Sequence, residues 1–244
     1  MTRTPDFESA MPNNGIFVTG TDTGVGKTAV SLGIMTLAKE KGLRVAGWKP
    51  VASGCRPTPA GLRSDDAVAL QAACSTPTDY ATVNPVALQP AVAPQLAARE
   101  SGQTIDIAKL AEEFARHRAQ ADLIVVEGIG GWLVPLGDES TVADLAKRLS
   151  LPVLLVVGLR LGCLNHALLT GRAIQASGQK MLGWVGNWMG GELERQPEVI
   201  AALEHRMDAP LLGVIPRLQS LAAEPDSVAG YLAASWPRLS QESG

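Results

Sequence analysis

The chain has 244 residues and is 46% hydrophobic, enough to bury the core of one large domain. A formal charge of -3 gives no general attraction to nucleic acid, and the longest apolar stretch, Leu151 to Leu159, is far too short to span a membrane. Three cysteines, Cys55, Cys74 and Cys163, lack metal-ligand spacing and fit reduced thiols in a cytoplasmic protein.

Residues 1–14 carry neither the basic nor the apolar region of a signal peptide and read as a flexible N-terminal tail. Residues 15–244 read as a single α/β domain, because no linker, repeat or low-complexity tract divides them. Gly15 to Thr19 is a short apolar run that reads as a buried strand. The segment Gly20-Thr21-Asp22-Thr23-Gly24-Val25-Gly26-Lys27-Thr28 follows it, and Ala29 to Lys39 then reads as a helix. Strand, glycine-rich turn, Gly-Lys-Thr and helix together make a phosphate-binding loop. Glycines let consecutive backbone N–H groups face an anion, and the helix start adds its positive dipole end. Gly24, Val25, Gly26, Lys27, Thr28 and Ala29 form this cradle. Lys27 reaches the outer phosphates, and the Thr28 hydroxyl offers a ligand to Mg²⁺. The loop's first glycine sits one position early, at Gly20 instead of residue 21.

Further strands are expected at Leu43 to Trp48, Leu123 to Glu127, Val153 to Val157, Met181 to Asn187 and Leu211 to Ile215. Helical patterns cover Asp65 to Ala73, Asp106 to Gln120, Thr141 to Leu149, Asn165 to Ser177 and Gln196 to Arg206. Continuous apolar strands imply burial on both faces, hence a parallel sheet. Their alternation with helices gives an α/β fold, a doubly wound, mostly parallel sheet with helices on both faces.

In such a sheet ligands bind at the carboxyl ends of the strands. That rule selects Lys49 after the second strand and Glu127-Gly128-Ile129-Gly130 after the third. It also selects Arg160 to Asn165, Asn187, and Pro216-Arg217-Leu218 after the later ones. Lys27 and Lys49 are expected at the ends of adjacent strands. A carboxylate at Glu127 suits a second Mg²⁺ anchor. A cation at Lys49 suits neutralisation of charge on a transferred phosphoryl group. Asp65 and Asp66 open a helix, and either serves equally well as a helix-cap acid or as a metal ligand. Cys163 and His166 share a helical face but have no third partner for nucleophilic catalysis. His117 and His205 read as surface residues.

Several segments, in order, resemble the dethiobiotin synthetases, ATP-dependent enzymes on a P-loop NTPase-like fold. They are Val18-Thr19-Gly20-Thr21-Asp22-Thr23, Lys49-Pro50-Val51-Ala52-Ser53-Gly54, Tyr80-Ala81-Thr82-Val83-Asn84-Pro85, Val126-Glu127-Gly128-Ile129-Gly130-Gly131-Trp132 and Leu161-Gly162-Cys163-Leu164-Asn165-His166-Ala167. The resemblance implies a ligase that forms the ureido ring of dethiobiotin from 7,8-diaminononanoate, CO₂ and MgATP. It implies Lys49 as catalytic lysine supported by Lys27, and Thr28, Asp66 and Glu127 as the Mg²⁺ set. Asp66 is preferred to Asp65 because the family's acid directly precedes an alanine, here Ala67. Thr23 and Ser53 would face the substrate. Gly162, Cys163, Leu164 and Asn165 would hold its carboxylate in the other subunit of a homodimer. Asn187 and Pro216, Arg217 and Leu218 would lie at the nucleotide.

This chain departs from the family in three places. Gly24 replaces a glutamate of some members, Gln95 replaces a histidine after Ala93-Pro94, and Asn187-Trp188 replaces the Asn-Asp pair that reads adenine. The last change implies looser base selectivity. The main rival reading is a partition-type or regulatory P-loop ATPase without a small-molecule product. Asp22 argues against it, because partition-type ATPases carry a signature lysine at that position.

Overall fold

The structure is a computed structural model that describes residues 14–190, 195–217 and 224–241. The expected tail as far as residue 13 lies outside the described residues, as does Leu218. The first half of the chain forms β1 (Gly15–Gly20), α1 (Lys27–Glu40), β2 (Val45–Trp48), β3 (Val51–Ala52), β4 (Arg56–Thr58), β5 (Gly61–Arg63), α2 (Asp65–Ala73), α3 (Tyr80–Val83), β6 (Val86–Ala87), α4 (Pro94–Glu100) and α5 (Ile107–Arg118). The second half forms β7 (Leu123–Glu127), α6 (Val142–Leu149), β8 (Val153–Leu159), α7 (Cys163–Ala176), β9 (Met181–Trp188), α8 (Gln196–Arg206), β10 (Leu211–Ile215), α9 (Pro225–Leu232) and α10 (Trp236–Gln241).

Six strands make one parallel sheet in the order β10-β9-β8-β1-β7-β2. Side chains alternate between two buried layers, as a strand's period of two dictates. Phe17, Ile124, Val126, Leu155 and Val157 pack with α5, α6 and α7 on one face. Ile16, Val18, Val125, Leu154 and Val156 pack with α1, α2 and α9 on the other. The expected doubly wound sheet with helices on both faces is therefore present. One expectation about its order is corrected. β1 and β2 are not neighbours, because β7 lies between them. Val18 pairs with Glu127 across β1 and β7, and Trp48 with Val126 across β2 and β7. The residues after β1 and β2 thus flank Glu127 instead of each other. The connections after the neighbours β1 and β7 leave to opposite faces of the sheet, through α1 and α6, which makes their carboxyl ends the switch point where such sheets bind ligands.

Helix α1 is buried along most of its length. α9 crosses it so closely that a Cβ on Gly33 would meet Val228 Cγ1 at 2.5 Å.

A second expectation is also corrected. His117 is not a surface residue but is buried, with Nε2 3.2 Å from the Gly47 carbonyl oxygen. Nε2 therefore carries the proton, and Nδ1 is buried without a partner. Burial pushes the His117 pKa below its ordinary value, against the smaller opposing effect of the Gly47 bond. Unfolded chains take up a proton near pH 6.5 that the folded imidazole refuses. Stability contributed here is present above that pH and is lost as pH falls below it. Chemical denaturation at pH 7.5 and pH 5.5 should show a loss of stability that His117→Gln reduces, since glutamine keeps a donor for Gly47 and does not titrate. An equal loss in the variant would remove His117 as the cause.

Candidate active site

The phosphate loop follows from local sterics. A Cβ on Gly20 would come within 2.6 Å of Val25 Cγ2, which accounts for the early glycine. Gly26 caps α1 with φ at +96°, a left-handed conformation suited to glycine. No side chain caps α1, and its first turn holds no acid. The first backbone N–H groups and the positive dipole end are left for an anion.

Four side chains converge beside this loop. Thr28 Oγ1 lies 2.9 Å from Asp66 Oδ1 and 3.0 Å from Glu127 Oε1. Lys49 Nζ donates to Glu127 Oε1 at 2.5 Å, to Asp66 Oδ2 at 3.1 Å and to the Gly128 carbonyl at 3.2 Å. Lys49 and Glu127 are both buried. Burial acts to lower the Lys49 pKa, but Glu127 and Asp66 outweigh it and hold the ammonium above its ordinary value. Burial acts to raise the Asp66 carboxyl, but Lys49 and Thr28 hold it below the usual range. Glu127 is raised, because its burial exceeds the pull of Lys49. Lys27 reaches back to the Asp22 carbonyl at 2.9 Å. Burial and then repulsion from Lys49 lower its pKa to about 8.

The donor set has the chemistry of a Mg²⁺ site. A threonine hydroxyl has one proton, yet two carboxylate oxygens lie within hydrogen-bond distance of it. Glu127 Oε2 is buried with no partner. Hard oxygen ligands short of protons are what a divalent cation takes. Asp65 is separate, pairing with Arg56 at 3.0 Å on the surface. Residue chemistry alone leaves the two acids equivalent and the family resemblance prefers Asp66; in the folded chain Asp66 is the one that joins the cluster.

These groups line a cavity of about 740 Å³. Of the expected site residues, Thr23, Gly24, Gly26, Lys27, Thr28, Ala29, Lys49, Ser53, Asp66, Glu127, Ile129 and Gly130 lie on its wall. Val25 turns its side chain into the core beneath the loop. Gly128 contributes its carbonyl to Lys49. Asn187 is fully buried and donates from Nδ2 to the Val25 carbonyl at 2.8 Å, which ties the end of β9 to the loop. Its Oδ1 has no partner. Arg217 lies close to Gly190, and Pro216 precedes it at the exposed end of β10. Gly162, Leu164 and Asn165 are exposed at the start of α7, outside the cavity wall, and Cys163 is buried. Cys163 and exposed His166 share that first turn and do not form a nucleophile–base pair among the described contacts.

Two supporting residues were not assigned a role from sequence. Asn84 Nδ2 donates to the Lys49 carbonyl at 2.6 Å, and the Lys49 N–H donates to the Val83 carbonyl at 2.8 Å. Tyr80 Oη donates to Asn84 Oδ1 at 2.9 Å and accepts from the Ser64 N–H at 2.7 Å. Ser64 precedes α2, which carries Asp66. This buried relay fixes the main chain on both sides of the Lys49–Asp66 pair. The Tyr80-to-Asn84 spacing of four, within one helical turn, was the available signal.

A family model described as an AAA domain matches residues 14–225. The ATP-dependent dethiobiotin synthetase BioD of Pseudomonas aeruginosa (strain UCBPP-PA14) is 50% identical over 217 residues, covering 88% of this chain and 94% of that protein. The protein of the same name from Cellvibrio japonicus is 48% identical, covering 89% of this chain and 95% of its own length. Among solved structures, the MinD cell division protein of Aquifex aeolicus superposes with a TM-score of 0.58 at 16% identity, over 93% of this chain and 96% of that one. A ParA family ATPase from Chlorobium tepidum gives 0.54 at 12% identity, over 95% of each chain. At such identities the structural likeness speaks for the fold alone. The fold is the P-loop NTPase fold, and by the identity spread along nearly its whole length the chain belongs to the ATP-dependent dethiobiotin synthetases.

Proposed function

We propose that this chain closes the ureido ring of dethiobiotin from 7,8-diaminononanoate, CO₂ and ATP, releasing ADP and phosphate. The observation that carries the reading is a buried lysine, Lys49, held by Glu127 and Asp66 at the mouth of a phosphate loop. One substrate amine and CO₂ form a carbamate. A carbamate oxygen attacks the γ-phosphorus, the bond to the β-phosphate oxygen breaks, and ADP leaves. The second amine then attacks the carbamate carbon and expels phosphate as the five-membered urea closes. No enzyme nucleophile is needed, so Cys163 has no chemical part. Lys27 and the α1 start bind and orient the phosphates, and Lys49 meets charge on the transferred group without reorganising. Thr28, Asp66 and Glu127 would hold Mg²⁺, which supplies charge neutralisation at the phosphate oxygens.

Thr23 and Ser53, on the cavity wall beside Lys49, would face the diamine. The start of α7 would hold the substrate carboxylate in the neighbouring subunit of a homodimer. Support for this comes from its exposure, its uncapped N–H groups and the apolar residues around it, Leu161 being 94% exposed. A cytoplasmic location is supported by three unpaired cysteines. No helix among the described residues is long and apolar enough to cross a membrane. The partition-type alternative shares the fold, but Asp22 stands at the position of its signature lysine. The direct test is a product assay with diaminononanoate, bicarbonate and MgATP. Release of phosphate without dethiobiotin would favour the alternative.

Lys49→Gln should lower kcat by about 10²-fold or more, the usual cost of one lost electrostatic donor. Glutamine keeps a hydrogen-bond donor in the side chain while removing the charge, and thermal melting shows whether the variant is folded. Near-normal turnover in a folded Lys49→Gln protein would remove Lys49 from the chemistry.

Asp66→Asn should weaken the Mg²⁺ dependence of activity, whereas Asp65→Asn should change it little. A magnesium titration of the two variants decides this, and the reverse ranking would exclude Asp66 as a ligand.

Base selectivity should be loose. Trp188 offers a ring and a single donor where family members have an acid, and Asn187 Oδ1 is an orphaned acceptor. Adenine, cytosine and guanine each bear an exocyclic amine that this acceptor suits, and uracil bears none. CTP and GTP should support ring closure at a sizeable fraction of the ATP rate, with UTP behind. Measured kcat/KM values favouring ATP by more than about 10³-fold would mean that other groups read the base.

A further inference from the structure

Asp22 is the loop residue for which the reaction has no use. It is nonetheless the most connected residue of the loop's head. Its carbonyl accepts the Lys27 ammonium at 2.9 Å, and its Oδ1 accepts the Thr23 N–H at 2.7 Å. Its Oδ2 accepts Arg160 Nη2 at 2.6 Å, across 138 positions of sequence. Arg160 follows β8 and stands two residues before Gly162, the left-handed residue that starts α7. Two more bonds join the same segments. The Thr21 N–H donates to the Val156 carbonyl at 3.0 Å, and the Gly158 N–H donates to Thr21 Oγ1 at 3.3 Å. The head of the phosphate loop is thus stitched to the stretch of chain that leads into α7.

We propose that the Asp22–Arg160 ion pair couples nucleotide binding in one subunit's phosphate loop to carboxylate binding at the α7 start which that subunit lends to its neighbour. This rests on the composite-site reading above. The pair is half-exposed on both sides, so its contribution to stability is small. Its role is positional. Nucleotide phosphates compete with the Asp22 carbonyl for the Lys27 ammonium, so filling the loop changes the hold on Asp22. Arg160 carries that change into the start of α7, because its own carbonyl accepts the Cys163 N–H at 3.0 Å. Asp22 and Arg160 are positioning residues, because neither touches the reacting atoms.

The test is a linkage measurement on the intact dimer. The Kd of 7,8-diaminononanoate is measured by calorimetry with and without a non-hydrolysable ATP analogue and Mg²⁺. The ratio of the two values is the coupling factor, and the nucleotide's own Kd must shift by the same factor. Wild-type protein should give a ratio of about 5 or more, within the usual allosteric range. Arg160→Ala and Asp22→Asn should each reduce it at least about threefold, and Arg160→Lys, which keeps the charge, should retain most of it. Thermal melting of each variant shows that it is folded. A lost structural support would weaken either ligand alone, but it would not abolish their dependence on each other. The same ratio in Arg160→Ala as in wild type overturns the coupling, and so does an equal loss in Arg160→Lys and Arg160→Ala. Asn165→Ala separates the two levels. If it leaves the diaminononanoate Kd unchanged, the composite site fails and the coupling fails with it. If it weakens that Kd while Arg160→Ala keeps the wild-type ratio, the coupling alone fails.

Discussion

The Lys49 ammonium lies 2.5 Å from Glu127 and 3.1 Å from Asp66, and Lys49 and Glu127 are both almost fully removed from solvent. An ion in such surroundings costs several kcal/mol unless its partners are held in place. That requirement organises the molecule around the site. Glu127 ends β7, Lys49 follows β2 and Asp66 starts α2, so three elements distant in sequence must meet within hydrogen-bond range. β7 has to lie between β1 and β2 for Glu127 to reach both Lys49 and Thr28. Asn84 and Tyr80 then fix the main chain at Lys49 and at Ser64, so neither partner of the pair can drift without breaking a buried hydrogen bond. Strong pre-positioned charge near a phosphoryl group is the form of catalysis in which rigidity counts most.

The architecture and most of the site were legible in the sequence because their signals are local. The phosphate loop is a contiguous run between a strand and a helix. The core strands are unbroken apolar runs, and Asp65–Ala73 and Leu123–Glu127 formed with the bounds that their patterns gave. What escaped depends on non-local geometry or on elements too short to show a period. α3 has four residues and β3 has two, below the length at which periodicity speaks. α4 and α9 are short helices that begin at prolines, a residue favoured in a helix's first turn but carrying no helical period of its own. Strand order was misjudged at β2, since chain order does not reveal a crossover past a strand that comes later. Asn84 was opaque because its partner is the main-chain carbonyl of Lys49, which sequence spacing does not mark. His117 was misread despite an available signal. It lies three residues after Phe114 and seven after Leu110, on the buried face of an amphipathic helix.

The same sheet serves the MinD and ParA proteins that superpose on it at 16% and 12% identity. The chemistry of this chain lies at the strand ends. The head of the loop holds an acid bound to Arg160, and Lys49 lies within a buried cluster. The fold thus supplies a phosphate cradle, and the side chains around it decide what the cradle is used for.

The contact of Gly33 with Val228 bears on the order in which the protein becomes competent. Helix α1 begins in the phosphate loop, and Val228 of the helix that covers it comes 195 residues after Gly33 in sequence. A growing chain has its nucleotide-binding motif long before Val228, Ala229 and Leu232 arrive to seal the outer side of α1. Until they do, the stretch of α1 around Gly33 lacks its apolar cover. Ribosomal synthesis therefore completes the packing of the phosphate-loop helix only once a segment 195 residues downstream of Gly33 has emerged.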